Sequence, residues 1–128
     1  QKDTDAAVAA ARAAFPAWMN TPSATRIKLV EKLLEQYNQR RAALAEAVSL
    51  EMGAPIDMAH SEQIAAGASH ITNFLKAAKT FQFDRPLGDH APGARVLYEP
   101  IGVCALITPW NWPMNQVCLK VAAAAIAG

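Results

Sequence analysis

The sequence predicts an α/β fold, in which N-terminal helices lead into the first strand and helix of a parallel-sheet unit. Three observations carry this. Apolar residues recur at three- and four-residue spacing through most of the first 80 positions, the period of helices that bury one face. The pattern changes at Phe81, after which turn residues and short apolar runs take over. Val103 to Ile107 is then an unbroken apolar run, short enough for a strand buried on both faces. A tight turn from Thr108 to Asn111 follows it, and Pro113 suits the first turn of a helix that stops at Gly128. Strand, connection and helix are the first half of a βαβ unit. Ligands bind such units at the carboxyl end of the strand, here the turn that holds Asn111.

Taken in order, Asp3 or Thr4 can cap a first helix, with Val8, Ala11 and Phe15 on its packing face and Pro16 interrupting it. Thr21-Pro22 starts the next, as hydroxyl cap and first helical residue, and Ile27, Val30, Leu34 and Tyr37 form its stripe. The polar cluster Gln36 to Arg41 breaks or bends it. Leu44, Val48 and Met52 resume the pattern until Gly53, a helix stop before Pro55. Lys28, Glu31, Lys32, Glu35, Arg40, Arg41 and Glu46 form a solvated face. Ile64, Ala68, Ile71, Leu75 and Ala78 define a further helix. On it Gly67 costs stability and so implies close packing, while His60 and His70 read as surface or capping residues. Arg85 to Gly93 is a turn-rich connector and Arg95 to Glu99 a strand. The last helix runs through Met114, Val117, Cys118, Val121, Ala124 and Ala125.

Composition limits the function. The 128 residues suit one ordinary domain, and 52% hydrophobic against 18% charged residues suffice for a core. A formal net charge of +1 without a basic block gives no argument for nucleic acid or an anionic membrane as partner. No apolar stretch reads as a bilayer span, and no charged-then-apolar leader opens the chain. Cys104 and Cys118 form neither a disulfide framework nor a zinc pattern, so the expectation is a reducing, cytoplasmic protein with no metal site. The six glycines make no G-x-G-x-x-G and no P-loop.

The run Glu99-Pro100-Ile101-Gly102-Val103-Cys104-Ala105-Leu106-Ile107-Thr108-Pro109-Trp110-Asn111-Trp112-Pro113, with Lys120 nine residues after the asparagine, closely resembles the aldehyde dehydrogenase superfamily. The upstream helices are similar to that family's N-terminal part, so the resemblance covers essentially the whole chain but only the beginning of a family member. It implies a truncated aldehyde dehydrogenase fold. Residues 1–93 are then the helical N-terminal part of the NAD(P)-binding domain with its connector. Residues 94–100 are a strand of the projecting oligomerisation sheet, and 101–128 start the Rossmann-like core.

The resemblance also implies an activity: oxidation of an aldehyde to a carboxylic acid through a cysteine thiohemiacetal and thioester. NAD or NADP is the cofactor, with NAD favoured, and the complete enzyme is a homodimer or homotetramer. Asn111 takes the role of oxyanion stabiliser, a job an amide suits because it donates without titrating; read from the residues alone, it can simply cap the following helix. Ile107, Thr108, Pro109 and Trp110 match the segment against the cofactor's ribose and nicotinamide, and read equally as a buried strand end with a packed tryptophan. Lys120 must snorkel or find a partner on an apolar helix, and matches a lysine near the catalytic glutamates. Trp112, Asn115, Gln116 and Leu119 share one helical face and match substrate-tunnel positions, and the two amides among them suggest a polar aldehyde. Neither Cys104, inside the apolar strand, nor Cys118, on a buried helix face, matches the nucleophile. The 128 residues alone are therefore expected to be inactive. The competing reading is a catalytically inactive helical oligomerisation or interaction module derived from the family. A related acyl-forming reductase is a weaker third.

Overall fold

The structure, a computed structural model, describes residues 1 to 128. Six helices and one two-stranded sheet follow in the order α1 (Lys2–Met19), α2 (Ser23–Gln39), α3 (Arg41–Met52), α4 (Ile56–Met58), a π-helical turn (Ala59–Gln63), α5 (Ile64–Ala78), β1 (Asp84–Pro86), β2 (Arg95–Leu97) and α6 (Pro113–Ala127). The core sits where α5 packs on α6 and α2, with α3 closing over the π turn. Its buried side chains include Val30, Tyr37, Val48, Ile64, Ile71, Leu75, Cys118 and Ile126.

The middle of the chain follows its sequence pattern. α2 breaks at Arg40 between Gln39 and Arg41. α3 ends on Gly53 at φ 81°, a left-handed conformation that glycine adopts without steric cost, and the Gly53 N–H donates to Ser49 O. The stripe Ile64, Ile71, Leu75 and Ala78 is buried on α5. Gly67 lies against Tyr37 and α6: a Cβ there would overlap the Tyr37 hydroxyl and stand 3.1 Å from Met114 O. The Tyr37 hydroxyl donates to Ile64 O (2.9 Å), so it is held in that position.

Elsewhere the structure corrects the sequence reading. α1 runs through Pro16 without a break, begins at Lys2 ahead of the expected Asp3 or Thr4 cap, and buries no residue; only Phe15 and Trp18 are half-covered. Thr21 does not cap α2. Its hydroxyl donates back to Ala17 O, and Pro22 takes the N-cap position. Arg85 and Pro86, expected to belong to a connector, instead join Asp84 in a strand that pairs antiparallel with Arg95–Leu97 in the register Asp84↔Leu97, Arg85↔Val96, Pro86↔Arg95. Gln63, in the π turn, is fully buried with its Oε1 unpartnered. On α6 the buried face is Cys118, Ala122 and Ile126, while Val117 and Val121 are exposed.

The largest correction is at Val103–Ile107, which forms no strand. Residues 99–111 make no backbone–backbone hydrogen bond, and Ile101 and Ile107 are 93% and 84% exposed. A parallel strand needs a neighbour to satisfy its N–H and C=O groups, and no other segment here offers a parallel edge. Cys104, expected inside a buried strand, is consequently exposed.

Candidate functional site

The turn before α6 is set by two prolines. Pro109 and Pro113 bracket Trp110-Asn111-Trp112, and Pro113 occupies the first turn of α6, where its missing N–H costs no helical hydrogen bond. Trp112 is the N-cap residue, at φ −139°, and no side chain caps the helix. Asn111 is exposed and its amide bonds to nothing in the chain. The capping role open to it on sequence grounds is therefore not the one it performs. Its carboxamide stands free at the head of a 15-residue helix.

Ile107, Pro109 and Trp110 are exposed, Trp110 by 77%, and Thr108 is half-buried. The reading of this stretch as a buried strand end with a packed tryptophan fails: no backbone partner pairs with it, and the Trp110 side chain is left exposed. The segment offers apolar surface, one hydroxyl and an unpaired backbone.

Trp112, Asn115, Gln116 and Leu119, expected from the sequence to share one face, are all half-buried, Trp112 at the N-cap and the others on the first turns of α6. Two hydrogen bonds fix its amides. His70 Nε2–H on α5 donates to Asn115 Oδ1 (2.6 Å), and the Lys120 ammonium donates to Gln116 Oε1 (3.0 Å) one turn back along the helix. Lys120 thus has the partner its apolar surroundings demand. His70, read from sequence as a surface or capping residue, instead ties α5 to the first turns of α6. Its position one turn after Gly67, on the helix closest to α6, was the available signal.

Cys118 is buried against Tyr37, and burial pushes its thiol up to about 11, so it stays protonated and unreactive near neutrality. Burial likewise raises the Tyr37 phenol above its ordinary range. No group of three His, Cys, Asp or Glu side chains converges anywhere. An open apolar groove of about 640 Å³ lies between α1, residues 99–106 and the end of α6; it contains none of the expected site residues.

Sequence reasoning missed Arg26. It is 6% exposed, and its guanidinium donates to Ile126 O (3.0 Å) and Ala127 O (3.3 Å) at the end of α6, and to Thr21 O. The ring of Phe83 lies 5.7 Å from its carbon. A cation at a helix C-terminus opposes the helix dipole, and it anchors the end of α6 remote from Asn111. Its spacing of four from Val30, on the apolar stripe of α2, was the clue.

Comparison with known proteins adds to this geometry. The family model for the aldehyde dehydrogenase family matches residues 1–128. A 3-succinoylsemialdehyde-pyridine dehydrogenase from a Pseudomonas species is 40% identical over 129 residues, covering 100% of this chain and 26% of the relative. The solved structure of an aldehyde dehydrogenase from Bartonella henselae superposes with a TM-score of 0.94 at 51% identity, covering 98% of this chain and 26% of that one. A mutant aldehyde dehydrogenase C from Pseudomonas syringae, complexed with NAD+ and octanal, superposes at 0.90 with 44% identity, covering 98% and 25%. The chain spans about a quarter of the length of the curated relatives it matches.

Proposed function

This chain belongs to the aldehyde dehydrogenase family, and we propose that it is the N-terminal portion of a cytoplasmic, NAD(P)-dependent enzyme that oxidises an aldehyde to a carboxylic acid. The observation that carries the reading is the free Asn111 amide, exposed in a Thr-Pro-Trp-Asn turn at the head of α6.

The chemistry assigns that amide a task. When a thiolate adds to the aldehyde carbon, a C–S bond forms and the carbonyl π electrons move onto oxygen. Asn111 Nδ2–H donates to that oxyanion as its charge develops. One such donor lowers the barrier by about 3–4 kcal/mol. An amide does not titrate, so it leaves the oxygen unprotonated, and the oxyanion can re-form its double bond as hydride leaves the same carbon. The nicotinamide supplies the hydride acceptor when bound. The residues present fit one side of it: Ile107 and Trp110 offer apolar surface, Thr108 a hydroxyl, and Pro109 holds the turn between them. The thioester left behind is hydrolysed by water that a general base activates.

The thiolate and the base come from elsewhere in the complete enzyme. Cys118 is buried and protonated, and Cys104 lies seven residues before Asn111 on the segment we assign to the first core strand. Residues 94–100 belong, in this reading, to a sheet through which the complete enzyme forms a dimer or tetramer, and Lys120 supports the site electrostatically. NAD is the favoured cofactor, and Trp112, Asn115, Gln116 and Leu119 line the path of a polar aldehyde. The test is the full-length protein with a panel of aldehydes and NAD or NADP, read by the near-ultraviolet absorbance of the reduced nicotinamide. Reduction by at least one aldehyde supports the proposal, and no reduction by any of them overturns it. The isolated 128 residues should give none.

A further inference from the structure

The two amides of the α6 face are not free to present either end. The Lys120 ammonium has only donors, so the amide atom it meets at 3.0 Å is the Gln116 oxygen. Asn115 Oδ1 can only accept, and it is held at 2.6 Å by His70 Nε2–H. Both carbonyl ends are therefore occupied from within the chain. The NH2 ends, Asn115 Nδ2 and Gln116 Nε2, have no partner in the chain, and neither is among its buried unsatisfied atoms, so both remain accessible. Around them, α5 and α6 contain no aspartate or glutamate, while Lys120 adds a positive charge one turn away.

We propose that this face is a donor-only wall, oriented by His70 and Lys120, and that it selects aldehydes whose far end carries a hydrogen-bond acceptor, above all a carboxylate. This rests on the proposed function, since it assumes that the face lines the substrate path. An ammonium or amide-donor tail would meet N–H against N–H with no carboxylate on either helix to receive it. An alkyl tail would leave two amide N–H groups stripped of water without a partner. A carboxylate accepts from both nitrogens, and hydrogen bonds to a charged group are the stronger kind. His70 acts here through Asn115 and is a positioning residue.

The test uses the full-length enzyme and three aldehydes of equal chain length, ending in carboxylate, ammonium or methyl. The carboxylated substrate should have a kcat/KM at least about tenfold above the other two. Asn115→Leu, similar in size, should collapse that ratio to within about threefold. His70→Phe should lower it by releasing the Asn115 amide to turn its oxygen outward, whereas His70→Gln, whose amide nitrogen replaces Nε2–H, should restore it. A loss of packing would slow all three substrates together and leave the ratio unchanged. A wild-type preference for the methyl or ammonium tail overturns the inference, as does a ratio indifferent to both Asn115→Leu and His70→Phe. No reduction with any aldehyde overturns the proposed function itself, and this inference with it.

Discussion

Replacing Gly67 by alanine should destabilise the protein, although the substitution lies mid-helix, where alanine is ordinarily favoured. Helix propensity alone would give a gain of about 1 kcal/mol. Against it stands the space around position 67. A methyl group there would stand 3.0 Å from Tyr37 Cζ and 3.1 Å from Met114 O, and would overlap the Tyr37 hydroxyl outright. The ring cannot rotate away without giving up its bond to Ile64 O, worth about 1 kcal/mol. Met114 O belongs to the first turn of α6, so that end cannot yield without moving the turn that carries Asn111. Overpacking of this kind costs roughly 1–3 kcal/mol. The net is a loss of about 1–3 kcal/mol, measured as a fall in thermal or denaturant midpoint of the full-length protein. The double variant Gly67→Ala with Tyr37→Phe removes the overlapping oxygen and should recover part of the loss, with a coupling of at least about 0.5 kcal/mol. A Gly67→Ala protein that is more stable than the parent, or strictly additive effects, would refute the argument.

Arg26→Ala should cost about 3 kcal/mol or more, because it strips charged donors from Ile126 O, Ala127 O and Thr21 O at once, and chemical denaturation measures it. Arg26→Lys should recover only part of that, since one ammonium cannot span the three carbonyls. The Cys118 thiol sits above its unfolded value, at about 11 against 9.0. Its contribution to stability is therefore complete below pH 9 and is lost as pH rises toward 11, where the unfolded thiol ionises first. At neutral pH an alkylating reagent should modify exposed Cys104 in the native 128-residue chain and spare Cys118 until the chain is denatured. Mass spectrometry of the labelled peptides reads both, and labelling of native Cys118 at the Cys104 rate would contradict its burial.

How much of this was legible depended on the range of the interaction. Helices α2, α3, α5 and α6 follow from local periodicity, and their limits at Gln39, Gly53 and Pro113 follow from local stereochemistry. Gly67 was legible too, because a glycine mid-helix needs a close neighbour, though the sequence could not name Tyr37. What failed was non-local. Val103–Ile107 has strand composition, but strand formation depends on a pairing edge that no other segment here supplies. Val8, Ala11 and Phe15 align on one face of α1, yet alignment does not supply a surface to bury that face against. β1 is three residues long and contains Pro86, so turn signals outweighed it. In the candidate site, the need of Lys120 for a polar partner on an apolar helix was legible, and Gln116 meets it. The Asn115–His70 bond joins residues 45 positions apart, and Arg26 reaches Ile126 across 100, distances at which sequence pattern carries no geometry.

The most direct test of the central claim is the turnover of Asn111→Ala in the full-length enzyme, with circular dichroism and the thermal midpoint confirming the fold. Asn111 caps nothing and bonds to nothing in the chain, so its removal should leave stability within about 0.5 kcal/mol of the parent. If its amide stabilises the oxyanion, kcat should fall by roughly a hundredfold or more while the protein remains folded. A folded Asn111→Ala enzyme turning over at a near-normal rate would contradict the account.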